Sequence, residues 1–390
     1  MPEIDFINVI YYMSLQKTVL LSLIFPKISK TYYHFKCVIH TKLYTIPFDI
    51  LLNPMKYLYY PLIFLVLISC NEDQVSTVSV GFYNVENLFD TKDDPKTNDN
   101  QFTPSGDKKW DKVKYAEKLQ NLAKVISQLA DNKYPTFLGV CEVENKKVLQ
   151  DLANQPALKQ ANYGVAHIES PDERGIDVAL LYNKSIFKIN EVIAYQPDLS
   201  SYNDKTRDIL YVKGELANGE ILNFMINHWP SRGGGRKESE PKRIAAANAL
   251  LSIQKEVQAK DPNAKIIVMG DFNDEPSNQS ISKTLNVACD IENIENNQLF
   301  NAFCNLEKQD YGSYRYRSYW DMLDQIMVSK SLITDTVGIH FTPNSADIKS
   351  ESWMIQTGKY KGFPLRTYGG NKYLAGYSDH FPVYISLQGN

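Results

Sequence analysis

Seven apolar runs of strand length punctuate the chain after residue 77: Val78 to Val85, Thr136 to Val143, Asp177 to Tyr182, Ile221 to Asn227, Lys265 to Met269, Met322 to Ser329 and Phe381 to Leu387. Many are nearly continuous rather than alternating, the pattern of strands covered on both faces. Two longer stretches carry the helical period instead. Asp111 to Ala130 sets Val113, Leu119, Leu122, Ala123, Ile126 and Leu129 on one stripe, and Glu240 to Ala259 does the same with Ile244, Ala247, Leu250, Leu251 and Ile253. Strands first alternate with helices and then cluster, which predicts an α/β domain of two stacked mixed sheets with helices outside. The polar stretch 90–107 and the glycine-bearing stretch 362–376 read as surface loops.

The pattern changes upstream. Met55-Lys56 precedes an apolar run, Tyr57 to Ser69, that is too short to span a membrane as a helix and reads as a secretory signal. Its end, Leu67-Ile68-Ser69-Cys70, resembles the lipobox of bacterial lipoproteins, whose cysteine is lipidated and becomes the first mature residue. Polar Asn71-Glu72-Asp73-Gln74 follows at once. The expectation is translation from Met55, with residues 1–54 an upstream extension, 55–70 a lipoprotein signal peptide and 76–388 the working domain. Such a protein is exported, monomeric and held at the bacterial cell envelope, in its outer membrane, by a lipid on Cys70 alone.

Composition keeps this picture: 43% hydrophobic and 22% charged residues, with a mean hydropathy of -0.34, describe a chain able to bury a large core and exclude disorder as its default. Charge narrows it. Residues 71–390 hold 36 basic and 42 acidic side chains, net −6. Nonspecific polyanion binders carry a basic footprint, so any nucleic-acid contact must come from a local patch. Arg232, Arg236, Lys237, Arg315 and Arg317 are the candidates, with Tyr314 and Tyr316 interleaved for base stacking. Three cysteines, Cys141, Cys289 and Cys304, lie beyond the leader. Their spacing fits neither a zinc site nor a disulfide scaffold and leaves one Cys289–Cys304 bridge open.

Candidate chemistry sits at the ends of the apolar runs, where a sheet can aim side chains into one cleft. The first run ends in Asn84 and Glu86, an amide and a carboxylate suited to a hard cation, although taken alone they are better accounted for by a strand followed by an Asn/Asp turn. Glu142 closes an otherwise apolar run, where a carboxylate is costly unless a cation or donor meets it. His228 ends another and is followed by three glycines and several cations. Gly270-Asp271-Phe272-Asn273 breaks the fifth run with a carboxylate able to deprotonate water and an amide able to grip a phosphoryl oxygen. Asp324 lies inside an apolar run, and Asp379-His380 opens the last; an aspartate beside a histidine orients the imidazole and stabilises its cation.

These segments, in this order, resemble the endonuclease/exonuclease/phosphatase superfamily with its deoxyribonuclease I-like fold, over about residues 78 to 388. Gly-Asp-Phe-Asn and Ser-Asp-His-Phe-Pro-Val in tandem are its most specific motifs. Asn-Val-Glu-Asn-Leu-Phe-Asp and His-Trp-Pro-Ser-Arg resemble an extracellular-nuclease-like lipoprotein branch. The resemblance implies a four-layer α/β sandwich and a Mg²⁺-dependent phosphoester hydrolase, with Mn²⁺ as the alternative ion. By matching motif, Glu142 is the principal metal ligand, helped by Asn84 and Asp379. Asp271 positions or activates water, Asn273 holds the phosphate, and His228 and His380 stabilise developing charge, with Asp324 orienting His380. Arg232 and Arg236 are candidate substrate contacts. Nucleic acid is the first substrate expected, a small phosphorylated metabolite or phospholipid headgroup the second. A noncatalytic binding lipoprotein is the alternative of another class.

Overall fold

The computed structural model describes residues 76–389 apart from 132 and 336, together with the backbone of His34–Ile39 and Lys42–Pro47. The chain divides into two units, Met1–Glu72 and Asp73–Asn390. In the first, the two described strands pair antiparallel. The expectations for Met55, the signal segment and Cys70 lie outside the described residues. Among those described, no helix is long and apolar enough to cross a membrane.

The second unit is built on two mixed sheets. We label its main strands β1 (Ser76–Leu88), β2 (Phe137–Val143), β3 (Tyr163–His167), β4 (Asp177–Asn183), β5 (Phe187–Tyr195), β6 (Ile209–Leu216), β7 (Ile221–His228), β8 (Lys265–Asp271), β9 (Leu299–Asn301), β10 (Asp324–Ser329) and β11 (Val383–Gly389). The first sheet runs β11-β1-β2-β4-β3, with His340–Phe341 at the β11 edge; the second runs β9-β10-β8-β7-β6-β5. Each has one parallel pair, β1 with β2 and β7 with β8, among antiparallel neighbours. Its longer helices are α1 (Lys112–Ile126), α2 (Lys146–Ala153) and α3 (Arg236–Lys260).

Strand alternation explains the layers. On β1, Val78, Val80 and Phe82 point between the sheets, where they meet Phe224, Ile226, Ile267, Met269 and Ile326 of the second sheet. Tyr83 and Val85 point the other way, onto Leu119, Leu122 and Ile126 of α1. The outer face of the second sheet, through Met225, Ile266 and Val268, takes Ala246, Leu250 and Ile253 of α3. The order of layers is therefore helix, sheet, sheet, helix, the predicted four-layer sandwich. Gly139 sets how closely the sheets approach: a Cβ there would stand 2.4 Å from the Met269 sulfur.

The predicted elements are present with altered ends. Asp111 caps α1, accepting 3.0 Å hydrogen bonds from the backbone amides of Val113 and Lys114, and the helix stops at Ile126 rather than Ala130. α3 starts at Arg236, five residues before Pro241, instead of at Glu240. The Arg243 guanidinium reaches back to the Arg236 carbonyl at 2.9 Å, supplying a donor in a turn that proline weakens. Cys289 and Cys304 are bridged, and Cys141 is free and buried.

Candidate active site

The inward-facing rows of the sandwich continue past its apolar core into polar side chains at one end. Asn84 follows Phe82 on β1, His228 follows Ile226 on β7, Asp271 follows Met269 on β8, and Asp324 precedes Ile326 on β10, all at two-residue spacing. Register aligns three of them: Asp271 pairs with His228 on one side and with Asp324 on the other. Glu142 would face outward by alternation. It is the extra residue of a bulge between Cys141 and Val143 and has φ 62, so the bulge turns its carboxylate into the same space.

The contacts knit these ends together. Asn84 Nδ2 donates to Asp271 Oδ2 at 3.0 Å and to Glu142 Oε1 at 3.4 Å, while Asn84 Oδ1 accepts from the Glu86 amide. Its nitrogen, rather than its oxygen, thus faces the carboxylates. The Asn87 amide donates to Glu142 Oε2 at 3.0 Å. Both histidines approach Asp271 Oδ2, His228 Nε2 at 3.7 Å and His380 Nε2 at 3.8 Å. His380 Nδ1 lies 2.6 Å from Asp324 Oδ2, and the Asp324 amide is held by Ser313 Oγ at 3.0 Å.

The same burial drives the two imidazoles apart. Burial lowers His228 well below its ordinary value, and the positive charges of Arg207, Arg174 and His380 lower it further, so it is neutral. Burial also opposes the charge on His380, but the carboxylates of Asp324, Asp271 and Asp379 outweigh it and hold that imidazole protonated. Asp271 is raised by burial and by Asp324, against the pull of His380, the Asn273 amide and Asn84. A carboxylate poised upward between a neutral and a charged imidazole is suited to proton transfer.

Asp379 lies at the edge of this group, where Arg366 binds it at 2.8 Å and also contacts Glu86 at 3.3 Å. Glu86 accepts from the Thr367 amide at 2.6 Å. Fully buried Lys118, its pKa lowered to about 8 chiefly by burial, donates to Thr367 Oγ1 and the Tyr377 carbonyl. Asn273, at φ 50, donates its amide to Asp271 Oδ1 and its side chain to the Trp229 carbonyl, bracing two strand ends. Arg232 and Arg236 are not brought to the centre. Arg232 binds Asp321 at 2.9 Å and the Asn273 carbonyl at 2.8 Å, and Arg236 binds Glu275 at 2.8 Å.

A hard divalent cation fits this donor set. Of its carboxylates, Glu86 and Asp379 are paired with Arg366 and Asp324 with His380, while Glu142 and Asp271 are joined through the Asn84 amide and turn oxygens toward the same space. Donor atoms of Asp271, Asp324 and His380 lie within 4.8 Å of one another, as do those of Cys141, His228 and Asp271. Burial raises the Cys141 thiol, which leaves it a protonated and poor ligand. A third group, His167, Glu169 and Asp177, centres on a carboxylate already satisfied by His167 and by the amide and hydroxyl of Ser170.

Sequence reading missed Lys118, Arg366 and the Arg207–Asp172 pair, 3.2 Å apart, whose arginine also reaches the Trp229 carbonyl. Lys118 had a signal, a lone cation four residues before Leu122 on the apolar stripe of α1. Arg366 and Arg207 had none.

Residues 79–389 match the model of a family described as the Endonuclease/Exonuclease/phosphatase family. Among solved structures, the chain is similar to a Bacteroides thetaiotaomicron mannosyl-6-phosphatase at 17% identity, over 80% of this chain and 99% of that one, with a TM-score of 0.50. It is also similar to truncated Caenorhabditis elegans TDP2 (14% identity, 80% and 97% covered, TM-score 0.49) and to the human Nocturnin catalytic domain (16%, 81% and 97%, 0.49). At such identities the likeness is one of fold. No curated protein matches the chain by sequence.

Proposed function

The chain belongs to the endonuclease/exonuclease/phosphatase family, a family of phosphoester hydrolases, and from that premise we propose a Mg²⁺- or Mn²⁺-dependent phosphodiesterase that is exported and acts on nucleic acid. The observation that carries the reading is the row His228, Asp271, Asp324 in register across three strands, with Glu142 turned toward it by a bulge. Asp271, raised by burial, takes a proton from the attacking water. Protonated His380, held by Asp324, offers positive charge to a phosphoryl oxygen, and neutral His228 stands on the other flank. Glu142 would hold the ion, with Asp379 and Asn84 beside it; all-oxygen ligation favours Mg²⁺ or Mn²⁺. When bound, the ion offsets charge on the phosphoryl group. Export and anchoring through Cys70 rest on the Met55–Cys70 segment alone.

The test is to incubate the protein with plasmid DNA, RNA, bis(p-nitrophenyl) phosphate and several phosphomonoesters, each with Mg²⁺, Mn²⁺ or chelator. Metal-dependent cleavage of DNA or RNA is expected. Cleavage of monoesters alone would move the substrate to a small phosphorylated metabolite or headgroup, and no cleavage of anything would leave a noncatalytic binding protein.

A further inference from the structure

A short hairpin, Tyr314–Tyr316 paired with Tyr319–Asp321, joins the centre of the site to open surface. Tyr314 forms a backbone bridge with His380, and its ring lies 4.8 Å from that imidazole at 36°. In an antiparallel pair, side chains alternate between faces and directly opposite residues share one. Tyr316 therefore lies on the Tyr314 face, and so does its cross-strand partner Tyr319. Tyr316 is 54% exposed and Tyr319 73%.

The other face is braced. Arg315 lies over the rings of Trp320, at 5.3 Å, and Phe363, at 4.7 Å. At the tip, Arg317 has φ 54, a conformation costly for a residue with a Cβ, and its guanidinium stands 5.2 Å from the Tyr316 ring. Around the hairpin stand Arg315, Arg317, Lys359 and Lys361, and the hairpin's own carboxylate, Asp321 opposite Tyr314, is held by Arg232 at 2.9 Å. Phe363, from segment 352–367, touches Arg315 of the hairpin, so the two form one basic, aromatic surface.

We propose that the tyrosine face of this hairpin is a platform for single-stranded nucleic acid, leading a strand toward His380. The inference rests on the phosphodiesterase reading above and deepens it. Bases in a duplex rise about 3.4 Å per step along each strand. Two residues along a β-strand, Tyr314 and Tyr316 stand roughly 6.6 Å apart. Bases stacked on successive rings are therefore unstacked from each other, which a single strand permits and a duplex forbids. Aromatic faces accept any base, and the surrounding guanidinium and ammonium groups meet phosphates, so binding is indifferent to sequence and sensitive to salt.

Fluorescence anisotropy tests this with a short fluorescein-labelled oligothymidylate, in chelator to stop hydrolysis, on the native protein and on Tyr316→Ala, Tyr319→Ala and Arg317→Ala. Each tyrosine substitution is expected to weaken binding roughly 5-fold or more, the loss of one stacked base. Arg317→Ala should also weaken it and reduce the salt slope by about one. A duplex of the same length should bind more weakly, without responding to the tyrosines. Unchanged affinity in both tyrosine variants, duplex binding with the same tyrosine dependence, or no oligothymidylate binding would each overturn the platform. Hydrolysis of bis(p-nitrophenyl) phosphate, followed in parallel with Mg²⁺, separates the two readings. Hydrolysis without oligothymidylate binding sinks the platform and leaves the hydrolase standing. Tyrosine-dependent binding with no hydrolysis of any phosphoester does the reverse.

Discussion

At the centre, His228, Asp271 and Asp324 are 4%, 2% and 0% exposed and stand on strands locked in register, whereas at the rim Tyr316 and Tyr319 are more than half exposed on a hairpin of two three-residue strands. The centre inherits its geometry from two packed sheets, so its distances are set by the core and tolerate little change. The hairpin meets the centre through the Tyr314–His380 bridge and through Trp320, stacked on Phe381, while Tyr316 and Tyr319 stand beyond those contacts. On the function and the platform proposed above, chemistry belongs to the first region and choice of substrate to the second.

The largest expected effect breaks the centre itself. Asp271→Ala and His228→Ala should each lower kcat on bis(p-nitrophenyl) phosphate by about 100- to 10,000-fold, as loss of a proton-transfer or charge-stabilising group does. Full activity in either would remove it from the site. Behind the centre, Arg243 and Asp274 form a fully buried ion pair at 2.8 Å, next to the Asp271–Asn273 turn. Arg243→Ala removes the close cation and leaves Asp274 with Ser280 Oγ at 2.6 Å and Arg232 at 3.9 Å, and should cost about 3 kcal/mol in urea denaturation.

Asp324→Asn is expected to be milder, roughly 10- to 100-fold in kcat, because it acts through His380. With Asp324 gone, burial lowers His380 against weaker opposition, so activity should fall away at a lower pH than in the native enzyme. The stability test has a definite sign. The folded-state value of His380 is raised, so the pair's contribution is fully present below about pH 6.5 and is lost as pH rises through the raised value. The gap in urea stability between native protein and variant should narrow over that window; a gap independent of pH would count against the pairing. Smallest of all, Arg317→Ala should leave hydrolysis of the small diester within about twofold, the limit expected of an exposed residue away from the reacting atoms. A large loss would place the rim inside the chemistry and erase the division.

The same division explains what could be read from the chain. β1, β2, β4, β7, β8, β10 and β11 were legible because they cross the core and are largely apolar on both faces. β3, β5 and β6 were not: Lys188, Asn190 and Glu191 interrupt β5, an edge strand with one open side. His228, Asp271 and Asp324 stood out as polar residues closing apolar runs. Glu142 was legible as a carboxylate, but the bulge that aims it leaves no mark in the pattern. Arg366 comes from a glycine-bearing loop whose path to Glu86 and Asp379 is set entirely by tertiary packing. Arg232 and Arg236, drawn in by their positive charge, are held by carboxylates 89 and 39 residues away in sequence, Asp321 and Glu275.

The central claim, a divalent ion held by Glu142 beside Asp271, is tested most directly by the metal dependence of hydrolysis. Bis(p-nitrophenyl) phosphate is assayed after chelation and then across a Mg²⁺ or Mn²⁺ titration, in the native protein and in Glu142→Ala. The native protein should be inactive in chelator and recover saturably, with half-saturation shifted upward at least 10-fold in the variant. Undiminished activity in chelator, or the same half-saturation in both proteins, would contradict it.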